Sequence, residues 1–516
     1  MTSHLNWTAT YVFVGFFAVV TILGFAAGRW RAGDLDELHE WGLGGRRFGA
    51  WVTWFLLGGD LYTAYTVIAV PALVYALGAF GYFAVPYTII VYPFIFLTMP
   101  RLWNVAHKHG YITGADFIRA RYGNAPLEWA VAFTGILATM PYIALQLVGM
   151  EKVIEGLGFA GTGLMAHLPL TIAFVVLALY TYSSGLRAPA LIAFVKDIMI
   201  YIFIIAAIII IPMKLGGYGA IFTNAGKFYA GAFAANPKYP GGMILHPAQI
   251  APFITLALGS AMALFMYPHA QTGTLAANSS NSIRRNAIVL PAYSLVLGLI
   301  ALLGFMGHAA GIKVANPQDI VPQLVLKMFP SWFVGFCFAA IAIGALVPAA
   351  IMSIAAANTF TRNIWRSAVN PNLPGPEEAS MAKLVSLIVK LGALLAIFFM
   401  PTLYAINLQL LGGVWILQIF PAIIFGLYTR WFSGWGLLAG WAVGMVYGTI
   451  ISHVGGAWVP VSVAPFLHMG VYNGLTALVA NVLVAAVISA VTGAMGQAAP
   501  DATKAGDFDD APALNS

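Results

Sequence analysis

The chain has 516 residues, of which 61% are hydrophobic and only 8% are charged. A mean hydropathy of +0.87 and repeated apolar stretches near the roughly 20 residues that cross a bilayer exclude a soluble globular protein. Since Cys337 is the only cysteine, an internal disulfide and a cysteine-rich metal site are excluded as well. We expect no cofactor and no bound metal. The net charge of +7 reflects basic loops of a membrane protein, so we infer no nucleic-acid partner from it.

Thirteen membrane-spanning helices are predicted from the hydropathy pattern. Their approximate bounds are 10–29, 48–77, 82–100, 127–150, 168–185, 188–213, 250–272, 286–311, 332–356, 382–400, 403–427, 434–453 and 470–493. The loops between them are too short for a soluble domain, so residues 1–495 are predicted to form one transmembrane domain. Residues 496–516 are rich in Ala, Pro, Asp and Gly, which is typical of a disordered tail.

Basic residues are distributed unevenly between alternate loops. Of the 24 Lys and Arg residues, sixteen lie on one side of the membrane and five on the long loops of the other side. The remaining three, Lys152, Lys196 and Lys390, lie at or inside spans. Because cytoplasmic loops carry the excess of Lys and Arg, the amino terminus is predicted outside and the carboxyl terminus in the cytoplasm.

Two acids and an adjacent lysine inside predicted spans indicate function. Lys196 and Asp197 lie within the apolar run 190–213, and Asp60 lies in the middle of 48–77. An ionised group at mid-bilayer costs about 2.5–3.5 kcal/mol on insertion scales, so such groups are kept where they have a partner or a function. We therefore expect the protein to move something charged. Successive helical residues project about 100° apart, so Asp197 is not required to pair with Lys196.

Several spans contain residues that interrupt helices. Gly58 and Gly59 precede Asp60 in the second span, and Pro71 follows them; Pro268 lies at the end of the seventh span, and Pro348 in the middle of the ninth. Membrane helices tolerate such breaks where the freed backbone groups line a cavity or meet a neighbour. Broken helices in corresponding positions of two halves indicate the substrate site of a transporter. Ordinary kinking is the alternative interpretation, above all for Pro71.

Four segments of the chain resemble motifs of the sodium:solute symporter family, in the order and spacing found there. They are WGLGGRRFG at 41–49, TGADFI at 113–118 with RYG at 121–123, YPH at 267–269, and FTRNIW at 360–365. The segment GGRRFGAWVTWFLLGGDLYTAYT, 44–66, looks most similar to the bacterial monocarboxylate permeases, which take up lactate, pyruvate and similar short acids. The resemblance implies a multi-pass protein of a bacterial cytoplasmic (inner) membrane.

The resemblance also implies the leucine-transporter fold, an all-α architecture of two inverted repeats of five helices. The repeats would cover about 48–213 and 250–427, with additional helices at 10–29, 434–453 and 470–493. Substrate and coupling ion would bind where the first helix of each repeat is unwound, since the positive ends of half-helices face the site there.

The sodium site of the family is degenerate in this chain. In the family, one sodium ion is held by backbone carbonyls at the break of the second span and by two adjacent hydroxyls on the ninth. The carbonyls correspond to Gly59 and Tyr62, but the hydroxyl positions correspond to Pro348 and Ala349, with Ala345 one turn earlier. The resemblance therefore predicts weak or absent sodium binding.

Lys196 stands where the family usually has the threonine of a Thr-Asp pair. A buried ammonium could occupy the place of the sodium ion, and a buried lysine that loses and regains its proton would couple transport to the proton gradient. In the alternative interpretation, Lys196 extends its amine to the cytoplasmic interface, being only about six residues into its span. Asp60 is a second candidate proton carrier, unless it caps the half-helix. With Asp197, these residues are the candidate ion-coupling group.

The candidate substrate-binding residues are the polar and aromatic side chains near the two breaks and one glutamine in an apolar run: Tyr62, Thr63, Tyr65, Thr66, Gln146 and Tyr267. A small monocarboxylate needs a few hydrogen-bond donors in a mostly apolar pocket. Tyrosines are also common at membrane interfaces, which is the alternative for each of them.

The predicted function is secondary active symport of short monocarboxylates, such as lactate, pyruvate, acetate or propionate, with a proton in preference to sodium. The alternatives are a sodium-coupled symporter of a small acid, amino acid or vitamin and, from another class, the membrane module of a sensor. No nucleophile motif, metal-ligand cluster or phosphate loop indicates an enzyme. The expected partners are the substrate and the lipid bilayer, with no obligate protein partner.

Overall fold

The computed structural model describes residues 5–31, 33–59, 61–159, 167–399, 405–464, 467–495 and 500–510. In this part of the chain, ten helices are long and apolar enough to cross a membrane, and three shorter apolar helices accompany them at Ala50–Gly59, Tyr65–Leu77 and Leu168–Ser184. The helical prediction is confirmed. The number of thirteen spans and the orientation stay predictions.

The amino-terminal half contains ten helices among the described residues. They are α1 Trp7–Ala26, α2 Leu38–Leu43, α3 Ala50–Gly59, α4 Val70–Leu77, α5 Ala84–His109, α6 Gly114–Tyr122, α7 Ala125–Gly156, α8 Leu168–Ser184, α9 Arg187–Lys214 and α10 Tyr218–Ala235. The helix α10 lies in the long segment expected to be a loop between two spans. A π-helical turn at Tyr65–Ala69 leads directly into α4.

The carboxyl-terminal half contains eleven further helices in the described segments. They are α11 Pro247–Leu264, α12 Pro268–Leu275, α13 Ser280–Val289, α14 Pro291–Ala309, α15 Ile320–Met328, α16 Ser331–Thr359, α17 Gly375–Phe399, α18 Ala405–Ile416, α19 Gly426–Tyr428, α20 Gly434–Ser452 and α21 Asn473–Ala494. Two antiparallel hairpins of very short strands connect α20 to α21: β1 His453–Val454 with β2 Ala457–Trp458, and β3 Val461–Val463 with β4 Gly470–Tyr472.

Both expected breaks near the amino ends of the repeats are present. The helix α3 ends at Gly59, and the chain becomes helical again just before Tyr65. In the seventh span, α11 ends at Leu264 and α12 begins at Pro268. A proline lacks an N–H, so it suits the first turn of a helix, where that group would have no partner inside the helix.

The expected interruption of the ninth span at Pro348 is wrong. The helix α16 runs without a break from Ser331 to Thr359, with Pro348 inside it. A proline costs a helix one backbone hydrogen bond, and close packing on all sides compensates for such a loss in membrane helices. Every residue in the most apolar window of this helix is buried, and α16 packs against α1, α7, α9, α12 and α17. It is the central helix of the molecule.

The expectation of disorder throughout 496–516 is wrong for its middle part. Residues 500–510 pack against the ends of α5, α6 and α13 and include a short 3-10 turn at Ala505–Asp507. Aspartates in this segment pair with basic residues of α5, α6 and α13, and these contacts order the chain despite its polar composition. Residues 496–499 and 511–516 lie outside the described residues.

Candidate functional site

The amine of Lys196 lies at the first helix break. Its Nζ donates hydrogen bonds to the carbonyl oxygen of Gly59 and, at 3.2 Å, to that of Tyr62. The side chain is fully buried, so the alternative in which Lys196 reaches the cytoplasmic interface is wrong. Because α3 ends at Gly59, these carbonyls lack helical partners, and the ammonium supplies the donors that they need.

Asp197 pairs with its neighbour. The Nζ of Lys196 is 3.1 Å from Oδ1 of Asp197, and both side chains are fully buried. The hydroxyl of Tyr293, on α14, donates to Oδ2 of the same carboxylate at 2.6 Å. Successive helical residues project about 100° apart, and the long side chain of Lys196 nevertheless brings its amine to the carboxylate of Asp197. The pair joins α9 to the first break and to α14.

Two adjacent glycines let other helices approach this break closely. A Cβ atom at Gly58 would lie 2.1 Å from Cζ of Tyr293, and one at Gly59 would lie 2.9 Å from Nζ of Lys196. Any larger residue would push the tyrosine or the amine away. The two glycines therefore keep α3 in contact with both groups of the charged cluster.

Pro348 and Ala349, at the positions of the family's two hydroxyl ligands, and Ala345, one turn earlier, are all buried in α16. A Cβ atom at Gly344, one residue before Ala345, would lie 3.7 Å from the carbonyl oxygen of Tyr62. This part of α16 therefore faces the same carbonyl that Lys196 contacts. The side chains of Ala345, Pro348 and Ala349 offer no oxygen ligand, and both carbonyls accept hydrogen bonds from the Lys196 amine.

Four of the candidate substrate residues make internal contacts instead. Gln146 accepts a hydrogen bond from the backbone N–H of Ala64 at 2.9 Å, and Thr63 accepts one from the N–H of Tyr65 at 3.1 Å. Thr66 donates to the carbonyl of Leu61, and the Tyr62 hydroxyl donates to the carbonyl of Tyr293 at 3.3 Å. In this state they stabilise the resumed helix and its contact with α14.

The other two candidates, Tyr65 and Tyr267, line one cavity. The rest of its lining comes from α5, α7, α11, α18 and β4: Tyr87, Tyr142, Ser260, Ala263, Leu264, Gln409, Leu410, Gly413 and Tyr472. Its volume is about 30 Å³, room for about one or two water molecules. The cavity is therefore closed around less space than an organic substrate needs.

Two polar atoms in this lining lack a partner among the described residues, the hydroxyl oxygen of Tyr267 and Oε1 of Gln409. A buried polar atom without a hydrogen bond is costly, which favours a polar occupant in a more open state. Sequence reasoning missed Gln409, Tyr142 and Tyr472. The only available signal was Gln409 as a polar residue within an apolar span, the same signal that selected Gln146.

The second break carries its own donor. The Nε2 amide of Gln271, on α12, donates to the carbonyls of Phe265 and Met266, each at 3.1 Å. Sequence reasoning missed this residue, although it follows the break by one helical turn. Asp60, the remaining candidate for ion coupling, lies outside the described residues.

Comparison with known proteins shows to which family the chain belongs. The profile of the Sodium:solute symporter family matches residues 41–444. The chain belongs to this family. A protein of Rhizobium johnstonii, named monocarboxylate transport permease protein, is 58% identical over 497 residues, which cover 95% of this chain and 98% of the relative. An uncharacterized symporter of Bacillus subtilis, YodF, is 33% identical over 94% of this chain and 93% of its own length.

The fold is shared with a solved transporter. A Na+-coupled sialic acid symporter, determined in a substrate-bound, outward-open state, superposes with a TM-score of 0.76. The match covers 94% of this chain and 98% of that chain at 15% identity, so it shows the fold alone. It supports the leucine-transporter-like architecture. Together with the family, it makes the chain a multi-pass membrane protein that transports a solute by symport, and not an enzyme.

Proposed function

We propose that this symporter takes up short monocarboxylates of the lactate, pyruvate, acetate and propionate type across a bacterial cytoplasmic membrane, together with a proton. The single observation that carries the choice of ion is the contact of the Lys196 amine with the carbonyls of Gly59 and Tyr62. In the family these carbonyls face a sodium ion, and here a fixed positive charge faces them instead.

The geometry gives the proton a structural effect. The protonated amine neutralises Asp197 and joins α9 to both sides of the first break. When the amine loses its proton, Asp197 becomes a buried carboxylate that keeps the Tyr293 hydroxyl but has no counter-charge, and the carbonyls accept only from a neutral donor. The closed arrangement is therefore stable with the proton bound and unstable without it. Proton release then favours opening, which is what coupling requires.

The substrate class is supported by the relative from Rhizobium johnstonii and by the cavity between the two breaks. Tyrosine hydroxyls can donate to a carboxylate, and the apolar parts of Tyr65, Leu264 and Leu410 suit a short aliphatic tail. A monocarboxylate that enters with one proton carries no net charge across the membrane. A tightly closed cavity of this kind selects small acids over large ones.

The test is uptake of labelled lactate into proteoliposomes, with pH and sodium gradients imposed separately. We expect an inward proton gradient to drive accumulation in the absence of sodium, and a sodium gradient alone to drive none. Accumulation that follows sodium and ignores pH would refute proton coupling. Replacing lactate with pyruvate, acetate and propionate as competitors then ranks the substrates.

Sodium coupling is the second candidate, and one observation favours it. Asp197 supplies a buried carboxylate beside the Tyr62 carbonyl, and carboxylate and carbonyl oxygens suit hard cations. In that case sodium would bind after Lys196 swings away, and the same gradient experiment would show sodium-driven uptake. An amino-acid or vitamin substrate would appear as competition with lactate uptake. The family assignment favours transport over the sensor alternative.

A further inference from the structure

The segment 500–510 occupies a basic surface on the predicted cytoplasmic side. Asp501 pairs with Arg121, and its Oδ2 lies 3.4 Å from Nε of Arg430. The backbone adds a hydrogen bond from the N–H of Ala502 to the carbonyl of Ala120, at 2.9 Å. The start of the segment is therefore joined to α6 and to the loop after α19.

The end of the segment is joined to two other helices. Asp507 contacts Lys108 at 2.9 Å and His109 at 2.8 Å, both at the end of α5. Asp510 contacts Arg284 of α13 at 2.7 Å and accepts a hydrogen bond from Ser280 at 2.8 Å. The segment thus connects α5 to α13.

Phe508 anchors the segment between these charged contacts. Its ring is buried, stands edge-on to Phe117 with ring centroids 6.1 Å apart, and lies below the guanidinium of Arg101 at 5.5 Å. Its carbonyl accepts a hydrogen bond from Asn104 at 3.1 Å. A buried aromatic side chain flanked by ion-paired acids indicates that the segment binds this surface specifically.

The two ends of the segment attach to different groups of elements. Asp507 and Asp510 hold α5 and α13, which pack directly against each other, whereas Asp501 holds α6 and Arg430. Alternating access in transporters of this kind requires one part of the fold to rock against the other. A peptide attached to both parts opposes that motion.

The cytoplasmic side of the second break is closed in this structure. All eight residues of α12 are buried. One of them, Thr272, lines a small cavity together with Thr113 and Gly114 at the start of α6. The helix α6 is one of the elements held by the tail, so an opening of this route would begin beneath the attached segment.

We propose that residues 500–510 form an intramolecular latch that holds α5 and α13 to α6 and the loop after α19, and so keeps the inner route closed. The latch is the acidic and aromatic segment, and its seat is the basic surface formed by Lys108, His109, Arg121, Arg284 and Arg430. Release of the latch shifts the protein toward the state that is open to the cytoplasm. It thereby sets how often the transporter opens inward, independently of which ion or acid is carried.

The charges of the latch are built to persist at neutral pH. Burial opposes ionisation of Asp507, but hydrogen bonds from the backbone N–H of Lys504, from His109 and from Lys108 hold the pKa of its carboxyl well below its usual range. The Arg284 guanidinium, above all, lowers the pKa of Asp510 to about 2. Both acids therefore stay ionised wherever the cell works.

The experiment measures cytoplasmic access to α12. Thr272→Cys is introduced with Cys337→Ala, and inverted membrane vesicles are treated with a membrane-impermeant maleimide. The double variant Asp507→Asn with Asp510→Asn should label about fivefold faster than the parent, because partly exposed ion pairs of this kind each contribute modestly and several are lost together. Asp509→Asn is the matched control, since this exposed aspartate changes the same charge in the same segment and should leave the rate unchanged.

A second measurement tests the latch without the double variant, in case that variant does not fold. In a chain that ends after residue 499, labelling should be fast, and a soluble peptide with the sequence of residues 500–516 should slow it again. Equal labelling rates in the parent, the double variant and the shortened chain would overturn the latch, as would an equal acceleration by Asp509→Asn. Labelling needs neither substrate nor gradient, so this result is separate from the outcome of the transport assay.

Discussion

Both helix breaks leave backbone carbonyls without helical donors, and a different type of side chain supplies the hydrogen bonds at each break. At the first break, the carbonyls of Gly59 and Tyr62 accept from the charged amine of Lys196, which is also paired with Asp197. At the second, the carbonyls of Phe265 and Met266 accept from the neutral amide of Gln271. An amide has the same hydrogens in every state, whereas an ammonium can lose a proton. Of these two donors, only the Lys196 amine carries a titratable proton, and the proposed coupling uses that proton.

The largest effect is expected for Lys196→Ala, which removes the titratable donor from the first break. Gradient-driven accumulation of lactate in proteoliposomes should be abolished, while exchange of labelled for unlabelled lactate across equilibrated membranes continues. Full concentrative uptake by this variant would exclude Lys196 as the coupling residue.

Lys390→Met is the matched control, because Lys390 is the other fully buried lysine of a span. Its Nζ donates to Ser386 at 2.6 Å, and no carboxylate of the described residues pairs with it. Burial of an amine without a counter-charge is costly, so an apolar chain of similar length should be tolerated at this position. Proton-driven accumulation should therefore persist in this variant. Its loss would mean that burial of a lysine, not its place at the break, decides coupling.

The next effect is expected for Gln271→Ala at the second break. Two buried carbonyls would lose their donor, at a cost of about 1–3 kcal/mol for each unsatisfied group. The protein should unfold at a lower temperature in detergent and take up lactate more slowly. The pH dependence of the remaining uptake should be that of the parent, because no titratable group has changed. An altered pH profile would show that the two breaks are coupled.

A smaller effect is expected for Tyr267→Phe in the cavity between the breaks. The change removes a hydroxyl that lacks a partner in the described structure, so folding should be unaffected or slightly improved. If the hydroxyl binds the carboxylate, the KM for lactate should rise about tenfold, which corresponds to about 1.4 kcal/mol, with little change in pH dependence. An unchanged KM would exclude this contact.

The smallest effect is expected for the double variant Pro348→Ser with Ala349→Ser. It restores hydroxyls on α16 opposite the first break, but Lys196 still occupies the carbonyls. Uptake should stay independent of sodium. Sodium-stimulated uptake in this variant, measured at constant pH, would show that the amine leaves the site readily and that the first break is less distinctive than its contacts indicate.

The sequence predicted the fold well and the site in part. Family motifs and broken spans located both breaks, and the position of Lys196 relative to Gly59 and Tyr62 agrees with the structure, although its role in coupling stays a prediction. The spacing of residues on a helix could not show that the amine of Lys196 contacts the carboxylate of Asp197. It also could not distinguish Gln146, which binds the backbone at Ala64, from Gln409, which lines the cavity, because both are single glutamines in apolar runs.

Predictions from local sequence were wrong where tertiary contacts override local preference. The segment 500–510 has a composition typical of disorder, and its order depends on Arg121, Arg284 and other distant residues that no local pattern reveals. The prediction of a helix break at Pro348 was also wrong. A proline inside a helix favours a break, but close packing around α16 keeps this helix continuous.

The burial of every residue in the most apolar window of α16 has a consequence for how variants of this protein will behave. Its alanines face protein on every side, so the translocation machinery would accept larger apolar residues there as readily as it accepts the native ones. The folded protein would not tolerate these larger residues, because neighbouring helices pack directly on the small side chains. A saturation library scored once for amount in the membrane and once for uptake should therefore disagree most along this helix.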